Sequence, residues 1–238
     1  LGTVPWTPFQ LHSVISPSTK DITVQCGPGK ASGKTEFSNL ELEISGMAVP
    51  LDSVANMAWS DQVANDGKGG WHDGGPEDDG RYLERAVKRK LFFNGYPFSV
   101  NTGEKSILVM NQPTHFPRGP KNVELRPGVP EKAKYLYLLH TSLWMERSME
   151  DFAKITVTYD SNEKQEIFLR NRRDLADWSH CVSLKNAKMA VRAKSESHAN
   201  VALYASRFSL KPEAGKVRSI RLETLPSCPV WIIAGITL

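Results

Sequence analysis

An all-β fold, a β-sandwich with long irregular loops, is what this sequence predicts, on three observations. Many separate stretches of about five to eight residues either alternate apolar with polar or run apolar throughout. Helical periodicity never persists. The connections are rich in Pro and Gly, and no strand–helix–strand alternation calls for a parallel sheet.

Each element has its own signature. Residues 1–20 carry Pro5, Pro8 and Pro17 among apolar residues, the pattern of extended chain lying along a body rather than building its own core. Residues 21–25 alternate, with Ile22 and Val24 on one face, and read as a short strand. Gly29, Gly33, Lys34 and Thr35 imitate a phosphate-binding loop, but the spacing between the glycines is one residue short and no amphipathic helix comes after to aim amides at a phosphate. A turn is expected there. Leu40, Leu42 and Ile44 alternate with Glu41 and Glu43, as in a half-buried strand. In residues 59–81, Gly67, Gly69, Gly70, Gly74, Gly75 and Pro76 forbid a regular helix or central strand, because ordering Gly is entropically costly and Pro lacks an amide donor. An ordered, functional loop is expected. A short helix is predicted over 82–90, a turn at Asn94-Gly95 and a strand over 106–110. Pro113, Pro117, Pro120, Pro127 and Pro130 then mark a long surface connection.

Residues 133–144 are nearly continuously apolar, which predicts a strand covered on both faces at the centre of a sheet. Ile155, Val157 and Tyr159 alternate with Thr156 and Thr158, Asp160, Ser161 and Asn162 turn, and 165–169 return as the second arm of a hairpin. Residues 188–193, 201–208, 217–222 and 230–238 supply four more strands. Trp144 and Trp231, inside apolar stretches, are assigned to the core. The whole chain, 1–238, is expected to form a single sandwich domain with 1–20 packed on it.

Composition narrows the function. The 238 residues hold 30 Lys and Arg against 26 Asp and Glu, dispersed along the chain, and the net charge of +4 leaves no nucleic-acid track. The densest basic run, Arg85 to Lys90, reads as a solvated face. No apolar run approaches the ~20 residues that span a bilayer, so a soluble protein without a membrane span is expected. The start at Leu1 is that of a chain whose leader has been removed or of a piece of something longer. Cys26, Cys181 and Cys228, an odd set without C-x-x-C spacing, oppose a zinc ribbon or a disulfide framework and read as buried thiols.

The histidines show no paired spacing, against a catalytic zinc. Asp66, Asp73, Glu77, Asp78 and Asp79 offer hard oxygen atoms, so a structural calcium is the metal the sequence admits, with Asp66, Asp73, Asp78 and Asp79 as its ligands, although the register is not that of an EF-hand. No Gly-x-Ser-x-Gly elbow, Cys–His context or singular carboxylate pair marks a catalytic residue, so a glycan hydrolase or lyase is the minority reading. Sugar binding needs flat apolar faces and planar polar groups. Trp59, Trp71 and His72 are candidate faces, with Trp59 the better loop anchor, and Asp61, Asp66, Asp73 and Arg81 are candidate hydrogen-bonding partners. A second candidate lies just past the hairpin, with Arg172 and Trp178 in residues 170–178.

Four stretches occur in an order that is informative: residues 61–79 around Gly69-Gly70-Trp71-His72-Asp73, then Phe93-Asn94-Gly95-Tyr96-Pro97-Phe98, then residues 137–144 ending Leu143-Trp144, then Asp174-Leu175-Ala176-Asp177-Trp178. From about Leu40 to Leu238 the chain resembles the galactose-binding-domain-like jelly rolls attached to bacterial glycoside hydrolases and polysaccharide-degrading enzymes. It departs from them at His72 and Gly74, where Thr and Gln are expected. The resemblance implies a jelly roll, a secreted, periplasmic or cell-surface setting, a polysaccharide or oligosaccharide as partner, and a non-catalytic role beside a catalytic domain of the same polypeptide. Some such domains only buttress that partner.

Overall fold

Two antiparallel sheets, packed face to face, make the described part of the chain an all-β sandwich in a computed structural model. The structure describes residues 46–76, 80–88, 92–93, 96–111, 119–128, 132–145, 150–195, 198 and 200–238. These belong to one compact unit, Ser45–Leu238; a separate unit, Leu1–Ile44, lies outside the described residues. With it lie the expected N-terminal extended segment, the strands at 21–25 and 40–44, the Gly29–Thr35 turn and Cys26.

The elements are α1 (Gly80–Val87), β1 (Phe92–Phe93), β2 (Tyr96–Pro97), β3 (Leu108–Met110), β4 (Asn122–Leu125), β5 (Tyr135–Leu143), β6 (Asp151–Tyr159), β7 (Lys164–Arg170), β8 (Ala187–Ala193), β9 (Val201–Ser209), β10 (Val217–Thr224) and β11 (Val230–Thr237). One sheet runs β4-β10-β6-β7, the other β3-β11-β5-β9-β8, and β1 pairs with β2. The expected strands over 188–193, 201–208, 217–222 and 230–238 are β8 to β11. The expected hairpin is β6–β7, closed at Asn162, whose φ of 69° suits a turn and whose N–H donates to the Tyr159 carbonyl. The turn expected at Asn94-Gly95 lies outside the described residues. The long proline-rich connection is corrected: it contains β4, an edge strand that pairs with β10, and the neighbouring prolines lie outside its paired residues.

Between the sheets, Ile155, Val157, Leu169, Ile220 and Leu222 meet Leu108, Leu136, Leu138, Trp231 and Ile233. A second cluster lies on the far face of the five-stranded sheet, where Val109, Leu139, Leu203 and Ile232 meet Trp59, Trp71, Leu83, Val87 and Trp178. The five-stranded sheet is therefore covered on both sides. This is the physical reason β5 reads as a continuous apolar run and β11 is buried along its whole length. Each fully buried Leu, Ile or Phe contributes about 1.5–3 kcal/mol.

The four-stranded sheet has one wet face, and its strands alternate accordingly. Lys154 sits in register between Phe168 and Glu223 and pairs its ammonium with Glu166 at 3.2 Å and Glu223 at 3.7 Å. Helix α1 begins two residues before its expected start and places Leu83 and Val87, one turn apart, on the sheet side against β8 and β9. Of the thiols, Cys228 is buried and its pKa is pushed up to about 12 by that burial, while Cys181 is only half-buried, correcting the expectation that all three are core groups.

Candidate functional site at the carboxyl end of the central strand

The glycine-rich loop is a layer laid on the outer face of the five-stranded sheet. Ala58 bridges Gly70 in parallel, with Ala58 N–H donating to Gly69 O at 3.2 Å and Trp71 N–H to Ala58 O at 3.4 Å, so the loop closes on its own start. Closure needs left-handed backbone at Asn65, Gly67, Gly69, Asp73 and Gly75. Trp59 anchors it: the ring is buried and its Nε1 donates to Asn101 O at 2.9 Å.

Asp61, expected to face a sugar, faces the loop instead. It is 3% exposed, its Oδ1 accepts from Gln62 N and Gly70 N, and its Oδ2 accepts from Gly75 N at 3.1 Å. A carboxylate that terminates three amides replaces the hydrogen bonds a glycine-rich segment cannot make as secondary structure. Asp73 does the same one layer out, its Oδ1 accepting from Asp66 N and Gly67 N, and Asp66 Oδ1 accepts from Lys68 N at 2.9 Å. One carboxylate oxygen from each of Asp61, Asp66 and Asp73 falls within 4.8 Å of the others. That donor chemistry and spacing fit a hard cation such as calcium, with Asp61 joining the expected Asp66 and Asp73, but the amides already engage these carboxylates. Glu77, Asp78 and Asp79 lie outside the described residues.

Trp71 is likewise corrected as a stacking platform. Its ring is fully buried and stands edge-on to Trp178, which is 2% exposed, so neither indole offers a free face. His72, half-buried, is edge-on to both, with centroids 5.7 Å from Trp71 and 5.2 Å from Trp178. His198, which the sequence does not single out, completes the group at 5.1 Å from Trp178. Arg81 turns back on its own segment, donating to Pro76 O at 2.8 Å and to the Tyr82 hydroxyl at 2.9 Å.

The two candidate stretches, 59–81 and 170–178, thus meet through Trp71, His72 and Trp178. The meeting point is a split in the sheet. Pairing of β5 with β9 ends at His140 and Tyr204; beyond it Ser142 bridges Asp177, Trp178 N–H donates to Ser142 O and Ala202 N–H donates to Trp178 O. Residues 176–178 are wedged between the two strands, which carries Trp178 onto the outer face.

The wedge also fixes the chain just beyond β5. Asp177 Oδ2 accepts from Met145 N at 3.3 Å, while its Oδ1 accepts from the amide and hydroxyl of Ser179. Trp144, expected in the core, is 53% exposed and held at φ 58°. Positive φ at a bulky residue is a strained state that persists only where its surroundings impose it. Arg172 is the second such residue at this end, exposed at φ 60°, its N–H donating to Leu175 O. Arg170 pairs with Asp151 at 3.0 Å and Arg173 with Asp174 at 2.7 Å. Among the described residues the Arg172 guanidinium has no such partner. An indole face and an uncommitted guanidinium can, respectively, stack on sugar C–H groups and grip paired hydroxyls or a carboxylate.

Neither a family model, nor a curated protein, nor a solved structure matches this chain.

Proposed function

We propose that this chain is a non-catalytic carbohydrate-binding module of jelly-roll type, which holds a polysaccharide-degrading enzyme near its glycan in a secreted, periplasmic or cell-surface setting. The observation that carries the reading is Trp144, an indole 53% exposed and held at φ 58° just past the end of the central strand, beside the 170–178 segment whose Asp177 accepts from Met145 N. Backbone strain of about 1–3 kcal/mol held at an exposed aromatic residue is a feature that clusters at binding sites. Arg172 supplies the planar polar group beside that end. Tethering to a catalytic domain would raise the local concentration of substrate without new contacts. Calorimetric titration against plant and algal polysaccharides tests the reading: heat of binding supports it, and none with any glycan contradicts it.

A second reading, a jelly roll that buttresses a catalytic domain of the same polypeptide, draws on the inward aim of Asp61, Trp59 and Trp71. It predicts that the module stabilises its neighbour in the longer polypeptide with no response to glycan. Equal unfolding midpoints for that neighbour with and without the module would count against it.

A further inference from the structure

We infer that the outer face of the five-stranded sheet carries a second saccharide-contacting surface, formed by Tyr96, Tyr135, Tyr137 and Arg207 at the end of β5 opposite Trp144. The inference rests on the carbohydrate-binding reading and adds a site that the sequence does not mark.

Tyr135 and Tyr137, two residues apart on β5, project from one face. Arg207 on β9 is in register with Tyr137, and its guanidinium lies 4.8 Å above the Tyr135 ring. Tyr96 of β2 brings a third ring to the group, 4.2 Å from Tyr137 and tilted by 32°, while Tyr135 and Tyr137 are 6.0 Å apart. All three tyrosines are half-buried and Arg207 is exposed. Towards the carboxyl end of β5 the same face disappears under Trp71, Trp178 and α1. Here, among the described residues, the cover thins: Tyr96 and Tyr137 pack against the edge of the core by one side, and the Tyr137 hydroxyl hydrogen-bonds the Arg207 side chain at the rim.

The chemistry suits a pyranose ring. Phenol rings offer apolar faces to C–H groups, while hydroxyls and a guanidinium at the rim exchange hydrogen bonds with sugar hydroxyls. Strands, unlike loops, hold such groups at fixed spacing. Burial, then the neighbouring Tyr96, raises the Tyr137 pKa further above the ordinary phenol value, as expected of a ring packed into the sheet face. A strand of 9 residues rising about 3.3 Å each puts Tyr135 roughly 30 Å from Trp144. Two surfaces that far apart on one rigid body can engage one long glycan chain, and the second contact gains from effective concentration.

The test is calorimetric titration of the full chain with a short oligosaccharide and with its parent polymer, on wild type, Trp144→Ala, Tyr135→Ala, Arg207→Gln and Tyr135→Ala/Arg207→Gln. Two oligosaccharide sites are expected in wild type and one in both Trp144→Ala and the double variant, with polymer affinity falling at least tenfold in each. Arg207→Gln, an exposed change, keeps the test valid if Tyr135→Ala fails to fold; it is expected to weaken one site. If Trp144→Ala abolishes all binding while the Tyr135 and Arg207 variants titrate as wild type, this second surface is wrong and the carbohydrate-binding reading stands. If wild type binds no glycan, both are wrong.

Discussion

Trp178 stands edge-on to Trp71, ring centroids 5.1 Å apart and planes at 86°, joining two loops that are far apart in sequence. Both indoles lie in the cluster that covers the outer face of the five-stranded sheet, so their contact locks the glycine-rich loop to the wedge between β5 and β9. Each single change to Ala is expected to cost about 3–5 kcal/mol in denaturant unfolding. The double variant is expected to cost less than the sum, by about 0.5–1.5 kcal/mol for the edge-to-face pair. Strict additivity would show that the two loops are held independently.

Gly80 is required by close approach. A Cβ there would collide with the Trp59 carbonyl oxygen and lie 2.8 Å from Trp71 Nε1. Gly80→Ala is therefore expected to destabilise by about 1–3 kcal/mol or more. At Gly128 a Cβ meets nothing within 4 Å, and Gly128→Ala serves as the control, expected to be neutral or slightly stabilising. Equal unfolding midpoints for the two variants would refute the packing described at the start of α1.

Asp61 organises the loop through Gln62, Gly70 and Gly75. Asp61→Ala leaves buried amides without an acceptor and is expected to cost about 2–4 kcal/mol. Backbone amides bonded to Asp61, Asp66 and Asp73 hold the loop closed by themselves, so thermal unfolding in chelator and in excess calcium is expected to coincide. A calcium-dependent rise in midpoint that Asp73→Asn removes would instead assign an ion to these carboxylates.

The sandwich interior contains a neutral histidine. Trp231 Nε1 donates to His140 Nδ1 at 3.0 Å, which leaves Nε2–H to donate to Ser206 Oγ at 2.7 Å, and Ser206 Oγ donates to Asp174 O. Burial lowers the pKa from 6.5 to about 3. The folded state therefore resists a proton that the unfolded chain accepts. His140 contributes no penalty above pH 6.5, and stability falls from there down to about pH 3 by on the order of 1 kcal/mol per pH unit. Urea unfolding across that range, compared with His140→Gln, is expected to show a shallower slope in the variant; parallel slopes would contradict a histidine held neutral by burial.

The fold is more legible in the sequence than the site. Alternation in β6 and β7 survives because one face of their sheet is wet, and the apolar runs of β5 and β11 report a sheet covered twice. β4 is hidden because its four residues sit among prolines that an edge strand tolerates. At the site, residue type misleads: Trp71, Asp61 and Arg81 carry binding chemistry but spend it on the loop itself. Trp144 looks like the end of a buried strand, since the carboxylate that ends the strand, Asp177, lies far along the chain. Tyr135 and Tyr137 read as core because they sit in a nearly continuous apolar run, which says that both faces of the strand are covered but not where that cover stops.

Titration of wild type and Trp144→Ala with a glycan panel decides whether the exposed indole is the binding platform. Saturable heat is predicted with at least one glycan in wild type, with an affinity at least tenfold weaker in Trp144→Ala and an unfolding midpoint in the variant close to that of wild type, because the removed indole is half in solvent. No heat in wild type, or the same affinity in both proteins, would contradict it.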